Sequence, residues 1–495
     1  LRGLKNRVAR HGLGGVGKYL SLLNIRPIHN GGFCWLYAQT SAYLITMTVD
    51  RKAAALRAID HISKFGDTDL FPSLPEMRCY VESKDKVADE FAALTAGNYR
   101  PQNCIESLTP KGALGFRISH QLSATDNIVY LAATIAAAPA LEKYRTDKDT
   151  NRSFAYRFVE STEPRLFERG RSYHDWINYI IKFGKGDNPF SESSYVILTD
   201  ISDFYQRIYF HRIENMLSDC ECDPLSASLI KKLIQKVRAK QSFGIPVGSN
   251  ASRILAETLL TDVDNLIESK GLQATRYVDD FRILASSEKE AHSTLCNLAE
   301  YLMVTEGLSL NTSKTKILKI EDLRKSASKR LDDAFTSKEM LEIEAFIRLE
   351  YGEDEVADEV DLQEDASKGL FMTADRLFDK MDEISTGELA DISIYKAILR
   401  GLRFLPGIDI SRLLKDHKVL LYYIPREYCL LLRSALDQVP EKAEDVKKTL
   451  LSLVKTTPFS DLTFVCPSLP DVFVRGPLTP VEGDFDVGRC TSLTR

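Results

Sequence analysis

The chain is 495 residues long, 44% hydrophobic and 27% charged, with a formal net charge of −5. That composition supports a sizeable core and excludes a wholly disordered chain; at about 100–200 residues per domain it implies two to four domains. No apolar run is read as reaching the roughly 18 residues of a membrane span, so no membrane partner is expected.

From the N-terminus, residues 1–95 alternate basic amphipathic stretches with Gly and Pro breaks, and the start at Leu1 leaves a missing N-terminus open. No secretory signal is read there. Gly12, Gly17 and Lys18 meet the GxxxxGK spacing, but a charged stretch precedes them and Tyr19 follows where a phosphate loop needs Ser or Thr. They read as a glycine-rich turn. Residues 34–49 are the nearest approach to an apolar span, interrupted by Gln39, Thr40 and Ser41.

Further along, periodicity predicts a helix over 127–144, a buried strand over 195–199 (YVILT) and helices over 203–217 and 229–240. A Gly/Pro loop over 244–249 is followed by a helix over 252–267. Residues 275–286 read as two short strands around a turn at Asp279 and Asp280, with a helix over 289–305 beyond. Residues 342–365 hold eleven acids and one base, Arg348, so the rest of the chain is weakly basic and compatible with a polyanion ligand. A helical region over 373–454 and an irregular Pro- and Gly-containing tail complete the chain. The expected units are an N-terminal extension (1–95), a catalytic body (96–330), an acidic linker or insert (331–372), a helical C-terminal domain (373–466) and a tail (467–495). Nine scattered cysteines without a CxxC pair read as reduced thiols of a cytoplasmic protein. Cys220 and Cys222 lack a histidine at zinc-site spacing.

The chemistry concentrates in carboxylates at strand edges. Asp200 ends the YVILT strand, and Asp279-Asp280 sits between two β-rich stretches. A strand–helix–helix–hairpin order can set them side by side in one sheet. Three such carboxylates repel one another without cations. Two Mg²⁺ ions (Mn²⁺ as a substitute) about 3.5–4 Å apart would resolve that and activate a hydroxyl for attack on a triphosphate.

These residues resemble the motifs of reverse transcriptases. LTDISDFY (198–205) is similar to motif A, GIPVGSNASR (244–253) to motif B, YVDD (277–280) to motif C and LSLNTSKT (308–315) to motif D. Lys111-Gly112 through Arg117-Ile118, and FAYRF (154–158), resemble the fingers motifs. The strings TDISDFYQRIYFH, GIPVGSNASR and SFAYRF narrow the resemblance to the bacterial defence-associated branch, the unknown-group and abortive-infection enzymes. Val247 stands where common retroelement enzymes carry Gln, and Ser252-Arg253 where they carry Ser-Pro.

The resemblance implies an α+β right-hand polymerase fold, fingers and palm, with a helical C-terminal region. It implies Asp200, Asp279 and Asp280 as metal-binding and catalytic carboxylates, with a backbone carbonyl from Ile201. Tyr205 would be the gate that excludes a 2′-hydroxyl. Arg117 and Lys111 would grip the triphosphate, Gly248 would admit close backbone approach, and Lys314 would donate a proton to pyrophosphate. His211 reads as structural. Lys231, Lys232, Lys236, Arg238 and Lys240, and Lys316, Lys319, Arg324, Lys325, Lys329 and Arg330, are candidate phosphate contacts. The implied activity is RNA-directed DNA synthesis from dNTPs in antiphage defence, with a companion noncoding RNA as template or by making homopolymeric or untemplated DNA. Noncoding RNA, the DNA product and a homo-oligomeric copy are the implied partners. A retron- or intron-type enzyme, a viral-type RNA polymerase and a catalytically dead binding scaffold are the alternatives. No second carboxylate cluster suggests RNase H, and the eight dispersed histidines do not suggest an HNH nuclease.

Overall fold

The structure is a computed structural model that describes residues 50–67, 74, 76–111, 115–182, 195–239, 241–323, 373–385, 392–403 and 405–454. The glycine-rich turn at Gly12–Lys18, the 34–49 run, the acidic segment, the tail, Lys240, Arg324, Lys325, Lys329, Arg330 and the side chain of Lys111 lie outside the described residues.

Among the described residues three helices come first, α1 (Arg51–Phe65), α2 (Met77–Glu82) and α3 (Lys84–Ala92). An antiparallel hairpin follows, β1 (Ile105–Lys111) and β2 (Gly115–Gln121). The long helix α4 (Ala124–Tyr144) starts on Ser123, whose hydroxyl accepts the Asp126 N–H. Contrary to the sequence expectation, α4 is long and apolar enough to cross a membrane, but 78% of its apolar window is buried inside the protein. It is a core helix, packed against α1 and later helices.

Helix α5 (Tyr173–Lys182) precedes β3 (Tyr195–Asp200). β3 is buried along most of its length, as a central strand covered on both faces must be. The predicted 203–217 helix is divided into α6 (Phe204–Arg207) and α7 (Phe210–Asp219). Asp203 has φ +48, and Ile208 is extended. The intervening backbone pairs with the loop after α8 (Pro224–Arg238) instead: Gly244 N–H donates to the Ile208 carbonyl (2.8 Å) and Phe210 N–H to Ser242 (3.1 Å). α8 begins earlier than predicted because Asp223 caps it and Pro224 opens it. The predicted 252–267 helix is α9 (Asn250–Leu259) and α10 (Thr261–Ser269), broken at Leu260.

β4 (Ala274–Tyr277) and β5 (Asp280–Ala285) form the predicted hairpin. α11 (Glu288–Tyr301) runs into a π turn (Leu302–Glu306) that stops at Gly307, and β6 (Lys316–Lys319) completes an antiparallel sheet of order β4-β5-β3-β6. α4, α8 and α9 pack together, and α11 lies on β3 and β5. The arrangement is a mixed helix-and-sheet fold, compatible with the α+β class expected from the sequence.

The C-terminal helices α12 (Ala374–Ser385), α13 (Ile392–Leu402), α14 (Ile410–Lys415), α15 (Leu420–Tyr423), α16 (Pro425–Gln438) and α17 (Ala443–Val454) bury an apolar core of their own, centred on Leu377, Phe378, Leu413, Tyr428 and Leu432. The Tyr428 hydroxyl donates to the Leu413 carbonyl at 2.9 Å.

Candidate active site

Antiparallel register sets Asp200, the last residue of β3, opposite Asp280, the first of β5. The Asp279 carbonyl accepts the Ile201 N–H (3.2 Å), which closes the strand end against the β4–β5 turn. The three carboxylates of Asp200, Asp279 and Asp280 therefore gather at one end of the sheet. Asp200 is buried, whereas Asp279 and Asp280 are half-buried.

The electrostatics follow from that crowding. Burial, reinforced by the charges of Asp200 and Asp280, pushes the Asp279 carboxyl well above the usual carboxylate range. Burial also raises Asp280, although Arg282 (3.8 Å) and Lys314 oppose the shift. The Lys314 ammonium lies 2.7 Å from Asp200 Oδ2, and the Asn311 amide donates to the same oxygen at 3.3 Å. Asn311 N–H binds the Asp200 carbonyl at 2.7 Å, so the 308–315 segment is fastened to β3 by backbone and side chain alike.

All available donors are hard oxygens, three carboxylates and a backbone carbonyl, and the like charges that raise Asp279 are those a divalent cation would relieve. The donor set fits Mg²⁺ or Mn²⁺. Among the described residues no three metal-ligating side chains already stand closed around one point. The carboxylates are assembled, and one of them is engaged by a lysine.

Tyr205, in α6, is half-buried beside Tyr156, Arg253 and Asp279, and burial raises its hydroxyl well above the usual phenol range. Its carbonyl accepts the Ile245 N–H at 2.9 Å, which ties α6 to the 244–249 loop. Gly248 in that loop has φ +106, a conformation open to glycine and strained for other residues. Val247 N–H donates to His120 Nδ1 (3.2 Å), joining the loop to β2.

Arg117 is on β2, and its buried Nε has no hydrogen-bond partner. The described ion pairs of the aspartates are with Arg282 and Lys314, not with Arg117. Lys111 ends β1 opposite Gly115. His211 is exposed, and its Nδ1 bonds Glu214 (2.9 Å). On α8, Lys232 is engaged with the Ala96 carbonyl, and Arg238 lies over the Phe210 ring (4.3 Å). Lys236, Lys316 and Lys319 remain exposed. A groove of about 700 Å³ between α10 and α11 contains none of the three aspartates.

Sequence reasoning missed a buried charge cluster beside the turn, formed by Glu257, Asp264, Arg276 and Arg145. Its signal was the charges themselves: Glu257 follows the Ile254-Leu255-Ala256 run of α9, and Arg276 stands between Thr275 and Tyr277 in β4.

Residues 140–343, a span that contains all three aspartates, match the family model for reverse transcriptase (RNA-dependent DNA polymerase). The chain thus carries a reverse transcriptase domain and is an enzyme of the RNA-directed DNA polymerase class. No curated protein matches it. Among solved structures it is similar to telomerase from Candida albicans in complex with the TWJ fragment of telomeric RNA, at 11% identity over 81% of this chain and 71% of that one, TM-score 0.32. It is likewise similar to telomerase from Candida tropicalis with the TWJ fragment, at 13% identity over 80% and 68%, TM-score 0.34. The apo enzyme from Candida tropicalis is 12% identical over 79% and 74%, TM-score 0.28.

Proposed function

We propose that this RNA-directed DNA polymerase adds dNTPs to a 3′-hydroxyl at Asp200, Asp279 and Asp280 by two-metal nucleotidyl transfer, and that it serves antiphage defence in the bacterial cytoplasm. The observation that carries the chemistry is the Asp200–Asp280 register with Asp279 closed against it. The three carboxylates and the Ile201 carbonyl would hold the ions. When bound, two divalent ions lower the pKa of the attacking hydroxyl and neutralise charge on the departing pyrophosphate.

The chain's own residues do the rest. The hydroxyl loses its proton to solvent, and its oxygen forms a bond to the α-phosphorus as the bond to the pyrophosphate oxygen breaks. Arg117 and Lys111 draw the triphosphate toward the fingers hairpin. Lys314 Nζ supplies a proton to the pyrophosphate oxygen. Tyr205 packs beneath the sugar, and Gly248 lets the loop backbone approach the nucleotide. The defence role rests on the narrower resemblance of the motif A and B strings, including Val247 and Arg253. On this reading a companion noncoding RNA is the template, the DNA product and a second copy are partners, and the C-terminal helices contribute to holding RNA.

The test is DNA synthesis by purified protein with Mg²⁺, dNTPs and its copurifying RNA, sequenced to identify it. The Asp279→Asn, Asp280→Asn double variant keeps shape and removes charge, and should show no incorporation. Undiminished synthesis would sink the site. Equal phage plaquing on cells carrying either form would sink the defence role.

A further inference from the structure

Val278, between Tyr277 and Asp279, has φ +55. A β-branched residue in the left-handed region is strained and persists only where its surroundings force it. Two groups do so. Val278 N–H donates to Glu257 Oε1 at 3.0 Å, and the Val278 carbonyl accepts from Arg276 Nη1 at 3.2 Å.

Glu257 is itself completely buried. Its other oxygen, Oε2, accepts from Arg276 Nη1 (2.6 Å), Ser153 Oγ (2.9 Å) and Arg145 Nη2 (3.0 Å). Arg276 turns its remaining edge to Asp264, with Nε–Oδ1 and Nη2–Oδ2 both 2.8 Å, a bidentate fork. Two carboxylates and two guanidiniums balance one another in a dry interior, where any one of them alone would be prohibitive. Packing alone does not call for this arrangement, since apolar side chains of equal volume fill a core as well or better. What the charges add is direction: both hydrogen-bonding groups of Val278 are met by members of the cluster.

We propose that Glu257 is a positioning residue, which with Arg276 clamps Val278 in its left-handed conformation and so sets the Asp279 carboxylate for cation binding. This rests on the reading of Asp279 as a metal-binding carboxylate. Ligands to a metal are commonly oriented by such outer partners, whose loss costs about 10–100-fold in affinity or activity.

The test uses Mn²⁺ alone as probe, its binding followed by paramagnetic resonance without nucleotide. Hydrogen exchange over residues 274–281, primer extension and a melting curve accompany it. Glu257→Gln should bind Mn²⁺ about 10–100-fold more weakly, slow extension by a similar factor and exchange the turn faster. Val278→Gly in the same background should recover much of the Mn²⁺ affinity, because glycine holds a positive φ without a clamp. If Glu257→Gln does not fold, Glu257→Asp replaces it with the same expectations, as it keeps the charge but is one methylene short of the Val278 N–H. A folded variant with wild-type Mn²⁺ binding and extension overturns the proposal. So does a loss that Val278→Gly fails to recover, which would mark Glu257 as structural only. Mn²⁺ binding and polymerisation that survive Asp279→Asn would instead sink the metal-site reading itself.

Discussion

Lys314 and Asp200 form an ion pair at 2.7 Å, so one member of the carboxylate triad is matched by an ammonium from the 308–315 segment. Burial would lower the lysine's pKa, but the hydrogen bond and charge of Asp200 outweigh it, and the net shift is upward. A raised lysine pKa contributes stability that is complete below the unfolded value and is lost as pH rises through the folded one. Lys314→Met should therefore lower stability at neutral pH by at most about 1 kcal/mol, since the side chain is half-exposed, and flatten the alkaline loss. If Lys314 is the proton donor, extension should slow by about 10²-fold or more. Melting curves from pH 7 to 11, with single-turnover rates, check both.

Asp279→Asn separates chemistry from stability. The folded carboxyl is raised above its unfolded value, so the stability it allows is complete at low pH and is lost as pH rises from about 3.9 through the folded value. Removing the charge should make the metal-free variant more stable than the parent at neutral pH, with the gap closing toward pH 4, while polymerisation disappears. Saturating Mg²⁺ should raise the melting temperature of the parent and not of the variant. A variant that melts lower than the parent at pH 7 contradicts the account.

Tyr205 lies beside Tyr156, Arg253 and Asp279. Tyr205→Val should raise rNTP use relative to dNTP use, read as the ratio of kcat/KM values. An unmoved ratio would leave Tyr205 as packing.

Gly307 ends the π turn at φ +67, and a Cβ there would run into the Tyr209 ring. Gly307→Ala should cost about 1–3 kcal/mol from the backbone alone, with the clash added. Tyr209→Ala in the same chain should recover the clash and leave the backbone part, a non-additivity that a denaturant double-mutant cycle resolves.

What was legible in the sequence was whatever local pattern encodes. YVILT announces a buried strand through its β-branched run, and the YVDD turn is bracketed by apolar residues on both sides. The interruptions were not legible. The break at Ile208 arises because Gly244 and Ser242 offer backbone hydrogen bonds from a distant loop, and helical periodicity carries no trace of that competition. Asp223-Pro224 did carry a start signal for α8 that the apolar spacing alone overlooked. Glu257 escaped notice because a charge in an apolar helix means little until its partners Arg145 and Arg276 are placed beside it.

That cluster also reaches far along the chain. The Arg145–Glu257 bond joins residues 112 apart and the Ser153–Glu257 bond residues 104 apart, while Val278 cannot be seated until both ends have met. Contacts so distant in sequence carry a larger loop-closure cost than those within a helix. The shape of the turn that carries Asp279 therefore depends on distant segments of the chain, so a substitution at Arg145 or Ser153 should reach that carboxylate without touching it.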